Sequence, residues 1–316
     1  MKITVQDFTG IYDYQPFMQE LRAAAETCKN ICWLDCTKIV GTDCYCDDEA
    51  VKTINEMIDE AENRDSTESN CMIKNRDNSA NVPAIHFFDN GNYHYMSKLW
   101  TDRVQEPFTL IVFDHHPDMQ PPRFGGILSC GGWVKEVLDN NKFIQNAIII
   151  GVKDELVETV HEELSQSEEA DILDKVTFIK ESELTKHSSQ TFLSSLTPSA
   201  SGAAVRSYQQ INLPLRHSPG SLLVSRLSSP YSLYISIDKD ALSPAYAATN
   251  WDQGSLTLEA LKECITILAA GHKILGIDIC GERAHDFEGN EHLTVQEADT
   301  LNNALNRELV EFLQKI

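Results

Sequence analysis

Apolar residues along this chain form short, nearly continuous runs that are rich in β-branched and aromatic side chains. Runs that are apolar on both faces are typical of strands buried in a parallel sheet. The pattern predicts strands at Ile31–Leu34, Ala84–Phe88, Phe108–Phe113, Ala147–Val152, Val176–Ile179, Leu233–Ile237 and Ile274–Ile279.

Helical patterns lie between these runs. Apolar residues recur at helical spacing over Val51–Ile58, behind acidic residues that favour the positive end of a helix. A helix is predicted over Thr257–Ala270, ending at Gly271, and a capping box of Thr294 and Glu297 opens the last helix. Strands that alternate with helices predict an α/β fold of three layers, αβα, around a central, mainly parallel sheet of about eight strands.

The alternation of strands and helices continues along the chain, and we predict a single domain over residues 1–316. A Ser-rich stretch at about residues 185–232 is predicted as a long excursion inside this domain, because strands of the same character resume after it. The acidic, Asn-rich segment Ala61–Asn81 is predicted as a second surface excursion.

Acidic residues outnumber basic ones: 48 Asp and Glu against 26 Lys and Arg give a net charge of −22. No Lys/Arg-rich run is present, so we expect neither nucleic acid nor an anionic membrane as a partner. No stretch approaches the ~18 consecutive apolar residues of a membrane span. We therefore expect a cytoplasmic protein that attracts cations, and the oligomeric state stays open, with a homo-oligomer as one expectation.

Nine cysteines are present, without the density of a disulfide-rich scaffold, and we expect reduced thiols. Several of them crowd together near the N-terminus, at Cys28, Cys32, Cys36, Cys44 and Cys46. These cysteines could form a metal or redox site, or they could be small hydrophobic side chains of the core. We favour the second interpretation, because their spacing matches no zinc-binding pattern.

Two predicted strands end in groups of potential metal ligands. Asp114, His116 and Asp118 alternate directly after one strand, and Asp238 and Asp240 alternate at the end of another. Alternate side chains share a face, and open parallel sheets place their sites at the carboxyl ends of the strands. Carboxylates gathered in this way repel one another and lose hydration unless a cation is present.

Carboxylates with imidazole and no assigned thiolate favour a hard or borderline divalent ion, Mn(II) before Zn(II), Fe(II) or Co(II). Four carboxylates in the set exceed what one catalytic ion usually takes, so a pair of bridged ions is favoured.

The motifs resemble those of the arginase/agmatinase/formiminoglutamase (ureohydrolase) family. The segment Asp114–Asp118 resembles the family's Asp-Ala-His-x-Asp signature, and Ser236–Asp240 resembles its Ser-x-Asp-x-Asp signature. Gly254–Glu259 is similar to a Gly-Gly-Leu-Thr-x-x-Glu element, and Gly91–His94 to a Gly-Gly-Asp-His element. The resemblance runs from about Ala84 to the C-terminus and leaves a divergent N-terminal part at about residues 1–80.

The resemblance implies an arginase-like fold and two Mn(II) ions that share Asp114 and Asp238 as bridging ligands. The implied metal ligands are His94, Asp114, His116, Asp118, Asp238 and Asp240. A hydroxide that bridges the ions would attack the carbon of a C–N bond in a linear guanidino, formimidoyl or amide compound. The implied partner is a small cationic or polar, nitrogen-containing substrate.

Further catalytic roles are expected for four residues, of which two depart from the family pattern. Asp118 would accept a hydrogen bond from the hydroxide, and His285 or Cys130 would pass a proton to the leaving group. Cys130 stands nearest the place of the family's proton-shuttling histidine. Glu282 would hold the substrate cation, although it lies one residue beyond the family position, a shift that a bulge at Gly281 would compensate.

Two other functions stay open at the level of sequence. The first is an amide deacetylase, because deacetylases of related fold use a single zinc ion and a subset of these ligands. The second is a non-catalytic protein that is stabilised by metal. It would explain why Cys130 stands in place of the shuttling histidine and why Glu282 is displaced by one residue. The deacetylase is the weaker alternative. Deacetylases carry a tandem His-His on a separate loop, whereas the only His-His pair of this sequence, His115 and His116, lies inside the metal motif.

Overall fold

The computed structural model describes residues 1–64, 83–122, 125–165, 170–188, 230–289 and 293–316. Its centre is an eight-stranded sheet in which every pairing is parallel. The strands are β1 (Ile3–Asp7), β2 (Ile31–Asp35), β4 (Ala84–Phe87), β5 (Phe108–Phe113), β7 (Ile144–Val152), β8 (Val176–Lys180), β9 (Ser232–Asp238) and β10 (Ile274–Cys280), in the order β2-β1-β4-β10-β9-β5-β7-β8. Two short strands, β3 (Tyr45–Cys46) and β6 (Leu128–Ser129), pair antiparallel outside this sheet.

Helices cover both faces of the sheet. They are α1 (Pro16–Ala25), α2 (Asp48–Arg64), α3 (Met96–Thr101), α4 (Trp133–Asn140), α5 (Asp154–Ser165), α6 (Glu181–Ser188), α7 (Leu258–Gly271) and α8 (Val295–Leu313). One core layer includes Met18 of α1, Leu261 of α7 and Leu309 of α8, and the other includes Ile54 of α2 and Trp133 of α4. The three-layer α/β fold with a parallel sheet of about eight strands is thereby confirmed.

The apolar runs predicted the strands of the sheet except β1. Thr4, Gln6 and Asp7 interrupt the apolar pattern there, yet all three are buried. Gln6 Oε1 accepts a hydrogen bond from Trp100 Nε1 at 2.8 Å, and Asp7 Oδ1 accepts one from Gly10 N at 2.8 Å. Trp100 thus pairs with Gln6 Oε1 and the following turn with Asp7, so the strand is buried without an apolar sequence, although Gln6 Nε2 has no partner among the described residues.

Both predicted helix signals toward the C-terminus are confirmed. Thr257 caps α7 by accepting a hydrogen bond from Ala260 N, and α7 ends at Gly271. Thr294 and Glu297 form the capping box of α8.

Part of each predicted excursion lies outside the described residues. These parts are residues 65–81 of the acidic segment and residues 189–229 of the Ser-rich stretch. Strands β8 and β9, on either side of the Ser-rich stretch, belong to the same sheet. The division into one domain with a divergent N-terminal part stays a prediction. Among the helices described, none is long and apolar enough to cross a membrane.

The crowded cysteines do not share one environment. Cys36 and Cys46 are buried in the core, and burial raises the pKa of the Cys46 thiol to about 12. Cys28 is disulfide-bonded, so the expectation of reduced thiols is wrong for this residue, while the other described cysteines are thiols. No group of candidate metal ligands in the described part of the chain includes any of the five.

Candidate metal centre

The six residues proposed as metal ligands come together at the carboxyl ends of three strands, β4, β9 and β5. Asp114 directly follows β5, and Asp238 is the last residue of β9. Asp240 lies in the 3-10 turn Lys239–Ala241, and His94 follows the 3-10 turn Gly91–Tyr93 behind β4. Since β4, β10, β9 and β5 are adjacent in the sheet, residues far apart in sequence converge.

The first group of ligand atoms surrounds Nδ1 of His94. This nitrogen lies 3.1 Å from Asp114 Oδ2, 3.1 Å from Asp118 Oδ2 and 3.5 Å from Asp238 Oδ2. Ligand atoms bound at about 2.1 Å from one ion lie about 3.0–3.4 Å from each other at octahedral or tetrahedral angles. The spacing in this group therefore fits the coordination shell of a metal ion.

The second group surrounds Nδ1 of His116, which lies 2.9 Å from Asp240 Oδ2 and 3.5 Å from Asp114 Oδ1. Asp114 thus turns one oxygen toward each group, as a bridging carboxylate does. Oδ1 of Asp114 also accepts a hydrogen bond from His116 N at 2.6 Å, as Asp238 Oδ1 does from Asp240 N at 3.0 Å. Asp238 differs in its imidazole contact, because its Oδ2 faces His94. The bridging role expected for Asp238 stays a prediction.

Partners on the far side of each imidazole orient the rings. His94 Nε2 lies 2.8 Å from Ser236 Oγ, and His116 Nε2 lies 3.1 Å from Asp252 Oδ1. An imidazole that donates from Nε2 keeps the lone pair of Nδ1 free for a metal. Both histidines are therefore held in the orientation that ligation through Nδ1 requires.

Asp118 is fixed in the first group by an unusual backbone conformation and a strong contact. Its φ of 49° is left-handed, a conformation that is uncommon for residues other than glycine. Trp133 Nε1 donates to Asp118 Oδ2 at 2.6 Å from the start of α4. Trp133 was not singled out by the sequence, because nothing in its own segment points to the motif.

The charges in the cluster are unbalanced. Burial, and then the carboxylate of Asp240, raises the pKa of Asp238 to about 7. Burial, and then the carboxylate of Asp114, raises the pKa of Asp240 to about 6. Burial lowers the pKa of His116, but hydrogen bonds to Asp114 and Asp240 outweigh it and raise that pKa to about 12. The folded cluster thus binds protons that a bound cation would displace.

A thiol that the sequence did not assign also reaches the cluster. Cys280 ends β10 opposite Asp238 in the parallel register, and its Sγ lies 3.2 Å from Asp238 Oδ2. The sequence could have indicated this residue, because Cys280 is a potential metal ligand at the end of a predicted apolar strand, as Asp238 is.

Glu282, the residue expected to hold the substrate cation, lies in a separate buried group. Gly281 adopts a φ of 95°, and Glu282 then forms an ion pair with Lys239 in which both side chains are fully buried. Gln15 Nε2 donates to its Oε2 at 2.9 Å, and Asn306 Nδ2 donates to its Oε1 at 2.8 Å. Its carboxylate is thus neutralised and hydrogen-bonded from within the protein, which opposes the expected role.

The two expected proton donors also have partners within the chain. The thiols of Cys130 and Cys44 hydrogen-bond each other, which lowers the pKa of Cys44 and, together with burial and Asp118, raises the pKa of Cys130 well above its usual value. His285 Nε2 lies 3.0 Å from Asp299 Oδ1, and the His285 ring packs on Tyr14. Cys130 therefore lies beside the cluster but holds its proton, which opposes a shuttle role near neutral pH.

Solvent reaches the cluster from the side of His116, whose side chain is 20% exposed, whereas that of His94 is 2% exposed. Trp251, 40% exposed, packs edge-on against the His116 ring and donates from Nε1 to Asn92 at 3.1 Å. Asp252 accepts a hydrogen bond from Lys153 at 2.8 Å. Although partial burial raises the pKa of Asp252, Lys153 and His116 lower it to about 2.

No protein-family model matches the chain. An uncharacterized protein of Thermotoga maritima is 23% identical over 198 residues, which is 63% of this chain. The chain spans 58% of the length of that relative.

Several solved structures share the fold over nearly the whole chain. Agmatine ureohydrolase of Thermoplasma volcanium is 15% identical, with a TM-score of 0.53 over 99% of this chain and 89% of its own. Proclavaminate amidino hydrolase from Streptomyces clavuligerus is 13% identical, with a TM-score of 0.54 over 99% and 91%. Arginase from Bacillus cereus is 12% identical, with a TM-score of 0.51 over 96% and 97%. The chain therefore has the arginase-like fold that its motifs implied.

Proposed function

We propose that this protein is a metal-dependent hydrolase of the ureohydrolase type, which cleaves a C–N bond in a small nitrogen compound at a pair of divalent ions. The observation that carries the proposal is the carboxylate of Asp114, with Oδ2 in the group around His94 and Oδ1 in the group around His116. The names of the structural neighbours support the class of reaction, since they include an agmatine ureohydrolase, an amidino hydrolase and an arginase.

The donor set fits divalent ions. Each of the two groups combines one imidazole nitrogen with carboxylate oxygens at the spacing of a coordination shell. The ligands proposed for the first ion are His94, Asp114, Asp118 and Asp238, and those proposed for the second are Asp114, His116 and Asp240, with Asp238 as a further bridging ligand. Bound divalent ions lower the pKa of water and stabilise negative charge in the transition state.

The residues around the ions would position them and handle a proton. Ser236 and Asp252 hold the two imidazoles, and Trp133 holds Oδ2 of Asp118. We assign to Asp118 the acceptance of a hydrogen bond from the attacking water or hydroxide. Neither Cys130 nor Glu282 is given a role in the reaction, because their partners are Cys44 and Lys239.

The entrance suits a small, planar and cationic or polar substrate. The exposed indole of Trp251 and the carboxylate of Asp252 lie beside His116 at the side of the cluster that solvent reaches. An aromatic face attracts a cation such as a guanidinium or amidinium group, whereas the Asp252 carboxylate is already paired with Lys153 and His116. We therefore propose a guanidino, formimidoyl or amide compound as the substrate class.

Metal content per chain tests the proposal. After dialysis against Mn(II), Zn(II) or Co(II), elemental analysis is expected to find about two ions per chain. Asp114→Asn is expected to lose both ions, because it removes the shared ligand, while the matched variant Asp59→Asn, at an exposed aspartate paired with Arg103, keeps them. No bound metal, or full metal content in Asp114→Asn, would overturn the metal centre.

The loaded protein is then screened for release of urea, formamide or ammonia from guanidino, formimidoyl and amide compounds. Release that disappears in Asp114→Asn supports the hydrolase. Two bound ions without release from any compound would favour the non-catalytic alternative, for which the neutralised Glu282 is the specific observation. One bound zinc ion with release of acetate from an acetylated amine would favour the deacetylase.

A further inference from the structure

Cys280 lies inside the proposed metal centre. It is the last residue of β10 and pairs in register with Asp238, the last residue of β9. Its side chain is buried, and Sγ lies 3.2 Å from Asp238 Oδ2, the oxygen that also faces His94 Nδ1. Paired positions on parallel strands point to the same side of the sheet, so the thiol of Cys280 lies beside the Asp238 carboxylate in the cluster.

The thiol, the imidazole and the carboxylate have the spacing of ligands on one ion. One ligand atom each from His94, Asp238 and Cys280 lie within 4.8 Å of one another, and all three residues are buried. A sulfur at about 2.3 Å and an oxygen at about 2.0 Å from a zinc-like ion lie about 3.1–3.5 Å apart at octahedral to tetrahedral angles. The observed separation of 3.2 Å between Cys280 and Asp238 falls in that range.

The backbone after Cys280 holds this arrangement in place. Gly281 has a φ of 95°, and a Cβ there would approach Asp238 Oδ1 to 2.3 Å. Gly281 N and Glu282 N both donate to Asp89 O at 3.1 Å, which ties the end of β10 to the segment after β4. Cys280 and Asp238 are therefore positioned together by packed backbone, which is what a preorganised ligand pair requires.

We propose that Cys280 is a thiolate ligand of the ion held by His94 and Asp238. The proposal rests on the metal centre proposed above and changes the metal expected there. A buried thiolate favours Zn(II), Co(II) or Fe(II) over Mn(II), which prefers oxygen ligands. When the metal binds, the thiol proton is released to solvent and the sulfur lone pair forms the bond to the ion.

Cobalt as the probe gives a readout that does not depend on catalysis. The full chain is loaded with Co(II), its cobalt content is measured, and its near-ultraviolet spectrum is compared with that of the metal-free protein. The wild type is expected to show a thiolate-to-cobalt charge-transfer band. Cys280→Ser is expected to lose this band, while Cys264→Ser, the matched variant at a buried free cysteine in α7, keeps it.

The outcomes separate this proposal from the proposed function. Cobalt bound by the wild type without a charge-transfer band, or with a band that persists in Cys280→Ser, overturns the thiolate ligand and leaves the metal centre standing. No bound cobalt overturns both. Should Cys280→Ser fail to fold, the band is measured in the wild type and in a Cys44→Ser/Cys130→Ser variant. A band absent from this double variant overturns the assignment, and one that persists supports it.

Competition between Mn(II) and Zn(II) for the site is a second test of the thiolate ligand. A chain offered equal Mn(II) and Zn(II) is expected to retain zinc in the site of His94, and Cys280→Ser is expected to retain relatively less zinc. An unchanged ratio of the two metals contradicts the ligand role.

Discussion

Two buried groups of charged side chains lie at the same edge of the sheet, and they differ in how their charge is balanced. The ligand cluster gathers four carboxylates with two imidazoles, and the ion pairs of these carboxylates within the described residues are with histidines rather than with lysine or arginine. The neighbouring group pairs Glu282 with the ammonium of Lys239, and Gln15 and Asn306 complete its hydrogen bonds. The charge of one group is balanced by the chain itself, whereas the excess negative charge of the other would be balanced by bound protons or by a cation.

A single step along the chain separates the two groups. Asp238 and Asp240 face the ligand cluster, and Lys239, between them, turns away to Glu282. Side chains alternate in direction at the end of β9. The two carboxylates therefore lie in the ligand cluster, and the ammonium of Lys239 lies in the group of Glu282. The carboxylates that remain without an ammonium are the ones that we propose as metal ligands.

Breaking the balanced group is expected to have the largest effect on stability. Lys239→Met leaves Glu282 buried without its counter-ion, and we expect the free energy of unfolding to fall by about 3–5 kcal/mol. Urea unfolding of the metal-free protein measures the change. Lys239→Met/Glu282→Gln should recover a large part of the loss, and Lys262→Met, which breaks an exposed pair with Glu308, should cost about 1 kcal/mol or less. Equal losses for the buried and the exposed pair would contradict the comparison.

The ligand cluster, whose charge is unbalanced, is expected to make the stability of the metal-free protein depend on pH. The folded pKa values of Asp238 (about 7), Asp240 (about 6) and His116 (about 12) all lie above their ordinary values. The folded state then holds more protons than the unfolded state near neutral pH, so stability falls as pH rises. Between pH 6 and pH 8 we expect a loss of about 1–3 kcal/mol.

Urea unfolding at both pH values, with a chelator present, measures this loss. Metal affinity should change in the opposite direction and rise with pH, because the ions displace these protons. Asp240→Asn should weaken the dependence of stability on pH. Stability of the metal-free wild type that stays constant between pH 6 and pH 8 would falsify the charge imbalance.

The smallest expected effect concerns the orientation of His94. Ser236→Ala removes the hydroxyl at 2.8 Å from His94 Nε2 and is expected to weaken metal binding about 10–100-fold. Titration against a competing chelator measures the affinity. Ser97→Ala, which removes a hydroxyl in contact with Ser236 rather than with the imidazole, should have a smaller effect. An unchanged affinity in Ser236→Ala would show that the ring needs no such support.

Much of the fold was predictable because buried parallel strands are apolar on both faces, as in β5 and β9. β1 escaped prediction because Gln6 and Asp7 find partners only in the folded protein. The residues of the candidate centre were predictable where ligands alternate at a strand end, as with Asp114, and Cys280 was missed because a cysteine in an apolar strand looks like a core side chain.

The sequence by itself determined the order of the buried strands along the chain and the residue types at their ends, since both depend on local alternation of apolar and polar positions. Only the tertiary structure decided which of those residues meet. The sheet order places β10 beside β9, which brings Cys280 to Asp238, and the turn at Gly281 places Glu282 on Lys239. Burial makes every charge depend on its neighbours in space, and those neighbours come from strands that are distant in the sequence.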